Sequence, residues 1–438
     1  MAGVLARYHQ ALDGLDPVEV MGRVTQVVGL VAEVQGLLLP VGAGAHLHTE
    51  AGPLLAEVVG FRGQRMLVMP YGQMRGLKPG CTVTRAEEGA LVRVGPGLLG
   101  RVIDALGQPL DGGPDPSFET LYPLYNDPPP AVSRRRIREP VDTGVRVINA
   151  MFTLGKGQRI GIFAGSGVGK STLLSMIARH TTADVNVIAL VGERGREVRD
   201  FIERDLGEKG MQRSVVVVAT SDQPALLRMR AAYLAHSVAE YFRDQGKDVM
   251  LMMDSVTRFA LAAREVGLSI GEPPTTKGYT PSVFAQLPRL LERAGTTEHA
   301  GSITGIYSVL VEGDDVTEPV ADAMRSILDG HVVLTRELAD QGHYPAVEVL
   351  GSVSRLMPEV NPPEVVEAAR RLQELIAAYR RNEDLINIGA YAQGSNPLID
   401  KAIALHERIQ AFLRQPMEEG ADLESSRRAL LELAAASR

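Results

Sequence analysis

The sequence predicts an α/β protein of several domains, and three observations carry that expectation. At 438 residues the chain is too long for one ordinary core, and at about 150 residues per domain it divides into roughly three. Up to Val94 it consists of short Val- and Leu-rich runs between glycine-containing turns, whereas beyond Gly155 continuous apolar runs alternate with helical segments. After Pro363 only helical spacing remains. The expected architecture is a β-barrel domain over residues 22–95, a parallel-sheet core over 96–345 and a helical domain over 346–438.

In the first region, residues 23–35, 54–61, 64–70, 82–85 and 91–94 read as strands separated by Gly-Gln, Pro-Gly and Glu-Gly turns. Closing such strands into a small barrel removes their exposed edges. His46, His48 and Glu50 alternate as on the polar face of a strand; with no cysteine or second carboxylate in reach they do not read as a metal site. Residues 100–133 are rich in Gly, Pro and Asp and mark a connection or the entry to a new domain. The basic cluster Arg134, Arg135, Arg136 and Arg138, which follows a proline run, reads as a solvated linker. Strands are expected at 159–164, 185–191, 214–219, 249–253, 302–310 and 332–334, with helices at 170–181, 196–206, 225–244 and 317–328 between them. In the last region Val365, Ala369, Leu372, Ile376 and Tyr379 follow helical spacing, as do Ile399, Ile403, His406, Ile409 and Leu413. Asp422 or Ser425 is placed to cap a final helix.

Composition narrows the function classes. With 45% apolar and 23% charged residues the chain matches soluble globular proteins. No apolar run reaches the roughly 18 residues a spanning helix needs, since Glu33, Gln35 and His46 interrupt the most hydrophobic stretch. Arg7, His9, Asp13, Asp16 and Glu19 break up any secretory leader, so a cytoplasmic protein is expected. The single cysteine, Cys81, excludes an intrachain disulfide and fits a reduced compartment. With 46 basic and 53 acidic residues the formal charge is −7, and nothing global favours a nucleic-acid backbone or an anionic membrane.

The chemistry is concentrated in the core. Directly after the expected strand 159–164 come Ala164, Gly165, Ser166, Gly167, Val168, Gly169, Lys170, Ser171 and Thr172, a phosphate-binding loop between strand and helix. Its glycines let successive backbone N–H groups turn toward β- and γ-phosphates, and the helix beginning near Lys170 adds the positive end of its dipole. Lys170 would reach the β/γ oxygens and the Ser171 hydroxyl would ligate Mg2+. Ala164 stands where the strict motif has glycine. Residues 249–253 are apolar and lead to Asp254, a carboxylate where a neighbouring strand should emerge, suited to holding Mg2+. Glu193 and Arg194, in Gly192-Glu193-Arg194-Gly195-Arg196-Glu197, follow the next strand. Ligands of such sheets lie at the carboxyl ends of strands, so Glu193 is placed to face a γ-phosphate and polarise water; a salt-bridged surface loop suits Arg196 and Glu197 better.

These stretches, together with 254–259 and with Tyr344-Pro345-Ala346 leading to Ser352-Val353-Ser354-Arg355, resemble the catalytic beta chain of rotary ATP synthases. Residues 276–285 and 311–322 are similar to segments of the flagellar and injectisome type III export ATPases of that superfamily, and residues 100–107 also fit. The resemblance runs from about Gly22 to Gln415. It implies a P-loop, RecA-like core acting as a Mg2+-dependent ATPase in a homohexameric ring that energises flagellar type III protein export, releasing and unfolding substrates. Lys170 and Ser171 would bind phosphate and Mg2+, Glu193 would be the catalytic carboxylate, and Arg194 and Arg258 would lie near the γ-phosphate. Asp254 would be the Mg2+-linked acid, Tyr344 would stack on adenine, and Arg355 would be a finger entering the neighbour's site. By residue type alone Tyr344 equally suits a core position and Arg355 a surface ion pair. Met417 stands after Phe412-Leu413-Arg414-Gln415-Pro416 where the synthase beta chain has an aromatic residue, which loosens the expected shape selectivity for a purine.

The same resemblance implies partners: a stator-like regulator contacted by residues 1–21, an export gate, a central stalk protein and substrate–chaperone complexes, at a peripheral position on the inner membrane. Val4, Leu5, Tyr8 and Leu12 recur at helical spacing in that first segment. Residues 384–391 look more like flagellar than injectisome members, so the injectisome ATPase is the alternative. A hexameric RNA helicase of the transcription-termination type is a remote one, because 22–82 offers only Phe61 and Tyr71 as aromatics for stacking bases, and no nucleic-acid partner is expected. A regulatory protein that binds ATP without hydrolysing it would need Glu193 or Arg355 out of place.

Overall fold

The computed structural model describes residues 20–86, 89–311 and 318–437, which leaves most of the expected partner-binding segment and residues 312–317 outside the described chain. The described chain forms two compact units. In the first, Gly22–Val28, Val31–Gln35, Arg65–Pro70, Gly52–Arg62, Gly44–Thr49 and Thr82–Arg85 neighbour one another in that order and close into an antiparallel barrel. The single strand expected over 23–35 is a hairpin, because Gly29, at φ 57°, turns the chain so that Val28 pairs with Val31. Alternate residues point inward, and Val24, Val34, Leu47, Val58, Met66, Val68 and Val83 make the barrel core. Glu33 accepts from Arg62 at 2.7 Å and Arg65 at 2.8 Å, which holds its carboxyl below the usual range. His48 Nε2 lies 2.9 Å from Thr84 Oγ1 and Glu50 pairs with Lys78, as a polar strand face requires. Residues 91–94 do not join the barrel; they pair with Thr120–Pro123 in a separate ribbon.

The second unit is built on a sheet whose strands run, in spatial order, Val353–Ser354, Gly330–Leu334, Arg159–Ala164, Ser302–Leu310, Asp248–Asp254, Val185–Val191, Ser214–Ala219 and Val102–Asp104. All these neighbours are parallel except the first pair. Val185–Val191 and Ser214–Ala219 are buried throughout, as covering on both faces demands. Val102–Asp104 lies within the stretch read as a connection or the entry to a new domain; it is a three-residue edge strand of the core sheet. Arg134 and Arg135 do not form a solvated linker: their guanidinium groups donate to the carbonyls of Glu292, Ala294, Thr297 and Gly301 and tie two segments together. The helix expected over 196–206 is Gly195–Asp200, then a π-helical turn over Phe201–Leu206, then Gly207–Met211.

Three helices, Pro363–Asn387, Pro397–Leu413 and Leu423–Ala436, complete the described chain. Asp422 caps the last by accepting from the Ser425 N–H at 2.8 Å. Their apolar faces, through Leu372, Leu405, Ile409 and Leu430, enter the same core as Ile160, Ile162 and Leu174. No helix among the described residues is long and apolar enough to cross a membrane.

Candidate active site

The buried strand Arg159–Ala164 delivers the glycine-rich loop to the carboxyl edge of the sheet, and the helix Lys170–His180 starts from it. Gly167 and Gly169 hold φ of 78° and 95°, a region other L-residues rarely adopt. Val168 is 1% exposed and anchors the loop in the core, while Ser166, Gly167 and Ser171 face outward. The Lys170 side chain donates to Asp254 and lies 3.7 Å from a Glu193 oxygen. Asp254 ends its strand one place beyond Ser302–Leu310, and that intervening strand supplies Ser308, whose hydroxyl donates to Asp254 at 2.7 Å.

Glu193 reaches this cluster because Gly192 turns at φ 71°; a Cβ on Gly192 would come within 2.9 Å of Arg258 Cβ. Burial, and after it the charge of Asp254, pushes the Glu193 carboxyl up to about 7, with Lys170 pulling the other way. Two carboxylates therefore share one ammonium in a site shielded from water. Of the predicted arginines, Arg258 packs behind Gly192 with its Nε buried and unpartnered among the described residues. Arg194 is not brought in: its side chain is 78% exposed and pairs with Glu197 at 3.3 Å.

Tyr344 is half-exposed, and a Cβ on Gly169 would lie 3.6 Å from its ring, so the ring leans over the loop. Its backbone is fixed by Gln415, which is buried and donates its N–H to the Tyr344 carbonyl at 2.9 Å. The Gln415 side chain donates to the carbonyls of Gly144 and Glu419 and accepts from the Arg146 N–H. Met417 is half-buried against the main core, with its carbonyl held by Arg179. It does not line the opening of about 420 Å³ formed by Gly167, Gly169, Lys170, Ser171, Thr172 and Tyr344.

Glu197, read from the sequence as a salt-bridged surface residue, completes that opening with Asp200, Arg204 and Asp205, which the sequence did not single out. The spacing of Glu197, Asp200 and Arg204 on one helical face was the available signal. The oxygen-only donor set of the Ser171 hydroxyl and the Asp254 carboxylate, beside an under-neutralised pair of acids, fits a hard divalent cation such as Mg2+.

Arg355 is exposed and lies far from this edge. Ser354 pairs with Gly330, at the amino end of a strand whose carboxyl end, Leu334, is level with Ala164. At about 3.3 Å per residue the separation exceeds an arginine's reach. Its guanidinium makes no ion pair among the described residues.

Three family descriptions match this chain: the β-barrel domain of the ATP synthase alpha/beta family over residues 24–87, the nucleotide-binding domain of that family over 144–354, and the T3SS EscN ATPase C-terminal domain over 361–432. The flagellum-specific ATP synthase of Bacillus subtilis is 55% identical, with 94% of each chain covered. The assembled ATPase EscN from the enteropathogenic E. coli type III secretion system superposes with a TM-score of 0.90 at 45% identity, over 94% of this chain and all of that one. EscN in complex with its central stalk EscO gives 0.87 at 44% identity, with 94% of this chain and all of that one covered. The barrel, the P-loop sheet and the three closing helices thus form one continuous match, and the chain belongs to the ATP synthase alpha/beta family as one of its flagellar and type III secretion ATPases.

Proposed function

We propose that the chain hydrolyses ATP with Mg2+ in a homohexameric ring and that this hydrolysis drives flagellar type III protein export. The observation that carries the catalytic part is the buried cluster of Lys170, Asp254 and Glu193 beside the glycine-rich loop. In this reading the loop N–H groups from Gly165 to Thr172 and the Lys170 ammonium bind the β- and γ-phosphates. Ser171 and Asp254 hold Mg2+, which when bound neutralises charge on those phosphate oxygens. Glu193 orients the attacking water and accepts its proton, a task its raised pKa suits. Arg258 lies close enough to turn toward the γ-phosphate, Arg194 would have to leave Glu197 to do so, and Tyr344 stacks on adenine. Arg355, turned away from its own site, completes the site of the next subunit and stabilises the transferring phosphoryl group.

Similarity to an assembled EscN and to EscN bound to its stalk supports the ring and a central stalk partner. The flagellar assignment rests on the Bacillus subtilis relative and on residues 384–391; the likeness to EscN favours the injectisome alternative. A stator-like regulator at residues 1–21, an export gate, substrate–chaperone complexes and peripheral inner-membrane attachment belong to the same reading. The decisive experiment is Glu193→Gln: ATP should still bind while turnover falls by orders of magnitude. Turnover at the wild-type rate would reduce Glu193 to a structural group.

A further inference from the structure

The loop that would cradle the phosphates has a weak point. Ser166 and Gly167 are both exposed, and a Cβ on Gly167 would meet nothing within 4 Å. Glycine populates both signs of φ at little cost, so packing does not prevent the Ser166–Gly167 peptide from rotating end over end. In one orientation its N–H faces the phosphates; in the other its carbonyl does, which repels them.

One side chain opposes this rotation. Gly330–Leu334 runs in register with the loop strand, Leu334 level with Ala164, so both strands leave the sheet side by side. Two residues later, at the start of the short helix Arg336–Asp340, Arg336 donates from Nη2 to the Ser166 carbonyl at 2.8 Å. This is the guanidinium's one hydrogen bond or ion pair among the described residues. The C=O and N–H of a trans peptide point in opposite directions. Pinning the Ser166 carbonyl toward Arg336 therefore aims the Gly167 N–H away from it. The two sides of the loop are distinct: Arg336 borders an opening with Phe163, Ala164 and Gly165, whereas Gly167 and Lys170 border the opening that Tyr344 overhangs.

We infer that Arg336 is a positioning residue for ATP, holding the Ser166–Gly167 peptide with its N–H toward the phosphates. The inference rests on the ATPase reading above. Acting through the loop peptide, Arg336 sets the fraction of molecules whose loop is ready to bind. A reduced fraction raises the apparent dissociation constant and leaves the saturated rate alone.

The test compares wild type, Arg336→Ala and Arg336→Lys in steady-state ATP hydrolysis, at a protein concentration where all three assemble equally, together with melting of the nucleotide-free proteins. Arg336→Ala should raise KM about tenfold, the scale of one charge-assisted hydrogen bond, with kcat changed by less than about twofold and an unshifted melting temperature. Lysine keeps one donor for the carbonyl and should recover most of the loss. An unchanged KM in Arg336→Ala, beside an active wild type, overturns the inference alone. So does a joint fall of kcat, ATP affinity and melting temperature that lysine fails to rescue, since that marks a merely structural residue. A wild type that does not hydrolyse ATP removes the ATPase reading and this inference with it.

Discussion

Arg293 and Lys170 are each the cation of a buried cluster in the same α/β unit, yet their surroundings differ in kind. Arg293 and Glu240 are both 1% exposed and meet through two bonds of 2.8 and 2.9 Å. Two more guanidinium N–H groups donate to the Leu124 carbonyl and the Ser237 hydroxyl. Nearby His236 is held neutral, its pKa pulled down to about 3 by burial and then by Arg293, so no proton competes for the pair. The charges balance there. Around Lys170 they do not: one ammonium serves Asp254 and Glu193, and a proton is retained near neutral pH to make up the difference. A balanced buried pair holds structure together; an unbalanced one has room for a ligand's charges.

The sharpest way to break this contrast is to remove each cation. Lys170→Ala should lower ATP affinity and turnover by orders of magnitude, since the β/γ charge loses its main partner, and should destabilise the nucleotide-free protein less than removal of Arg293 does, because Glu193 keeps a proton near neutral pH. Arg293→Met should do the reverse, destabilising by about 3–5 kcal/mol because it strands the Glu240 charge, with the protein that remains folded still binding ATP. Calorimetric melting and nucleotide titration on the two variants decide the matter. Large destabilisation by Lys170→Ala, or none by Arg293→Met, would erase the distinction.

Arg355 extends the comparison beyond one chain, because a site short of positive charge can draw it from a neighbour. Arg355→Ala should lose about a thousandfold in kcat. Mixed and reassembled with Glu193→Gln, it should regain partial activity at interfaces that pair an intact Glu193 with an intact Arg355. A mixture that exchanges subunits and stays inactive would place both residues in one chain's site.

The smallest effect is on stability against pH. Glu193 carries a folded pKa of about 7 against an ordinary 4.5, so the native state holds the proton more tightly than the unfolded one. Stability therefore declines as pH rises between those values and stays lower above the upper one. In metal- and nucleotide-free protein, Glu193→Gln should be about 1–3 kcal/mol more stable than wild type at pH 8, with the gap narrowing to under about 1 kcal/mol at pH 5. Equal melting curves at both pH values would mean that the buried carboxyl is not strained.

Lys170, Asp254 and Glu193 were legible in the sequence because each follows an apolar strand, and parallel strands must end at one edge. The boundaries of 225–244 and the cap at Asp422 were legible for similar local reasons. What was not legible depended on distant partners. Val102–Asp104 is too short to show a period and exists because Ser214–Ala219 offers an open edge. Gly29 splits an apolar run that otherwise reads as one strand. Arg134 and Arg135 look solvated until the carbonyls of residues 292–301 are placed beside them. That Arg258 lies against Gly192 while Arg194 points to solvent depends on where the helix carrying Arg258 packs.

Gln415 has a consequence for how this region breathes. It joins the Tyr344 carbonyl to the Gly144 carbonyl and the Arg146 amide, two stretches far apart in the chain and neither within a strand. Amides in such connections ordinarily exchange with deuterium quickly, but those of Arg146 and Gln415 are tied from both directions and can open only when the helical segment lifts from the sheet. They should exchange as slowly as core amides. The half-exposed ring of Tyr344 meanwhile turns on a backbone that does not. Whatever stacks there orders one side chain rather than a loop, and the entropy lost on binding is correspondingly small.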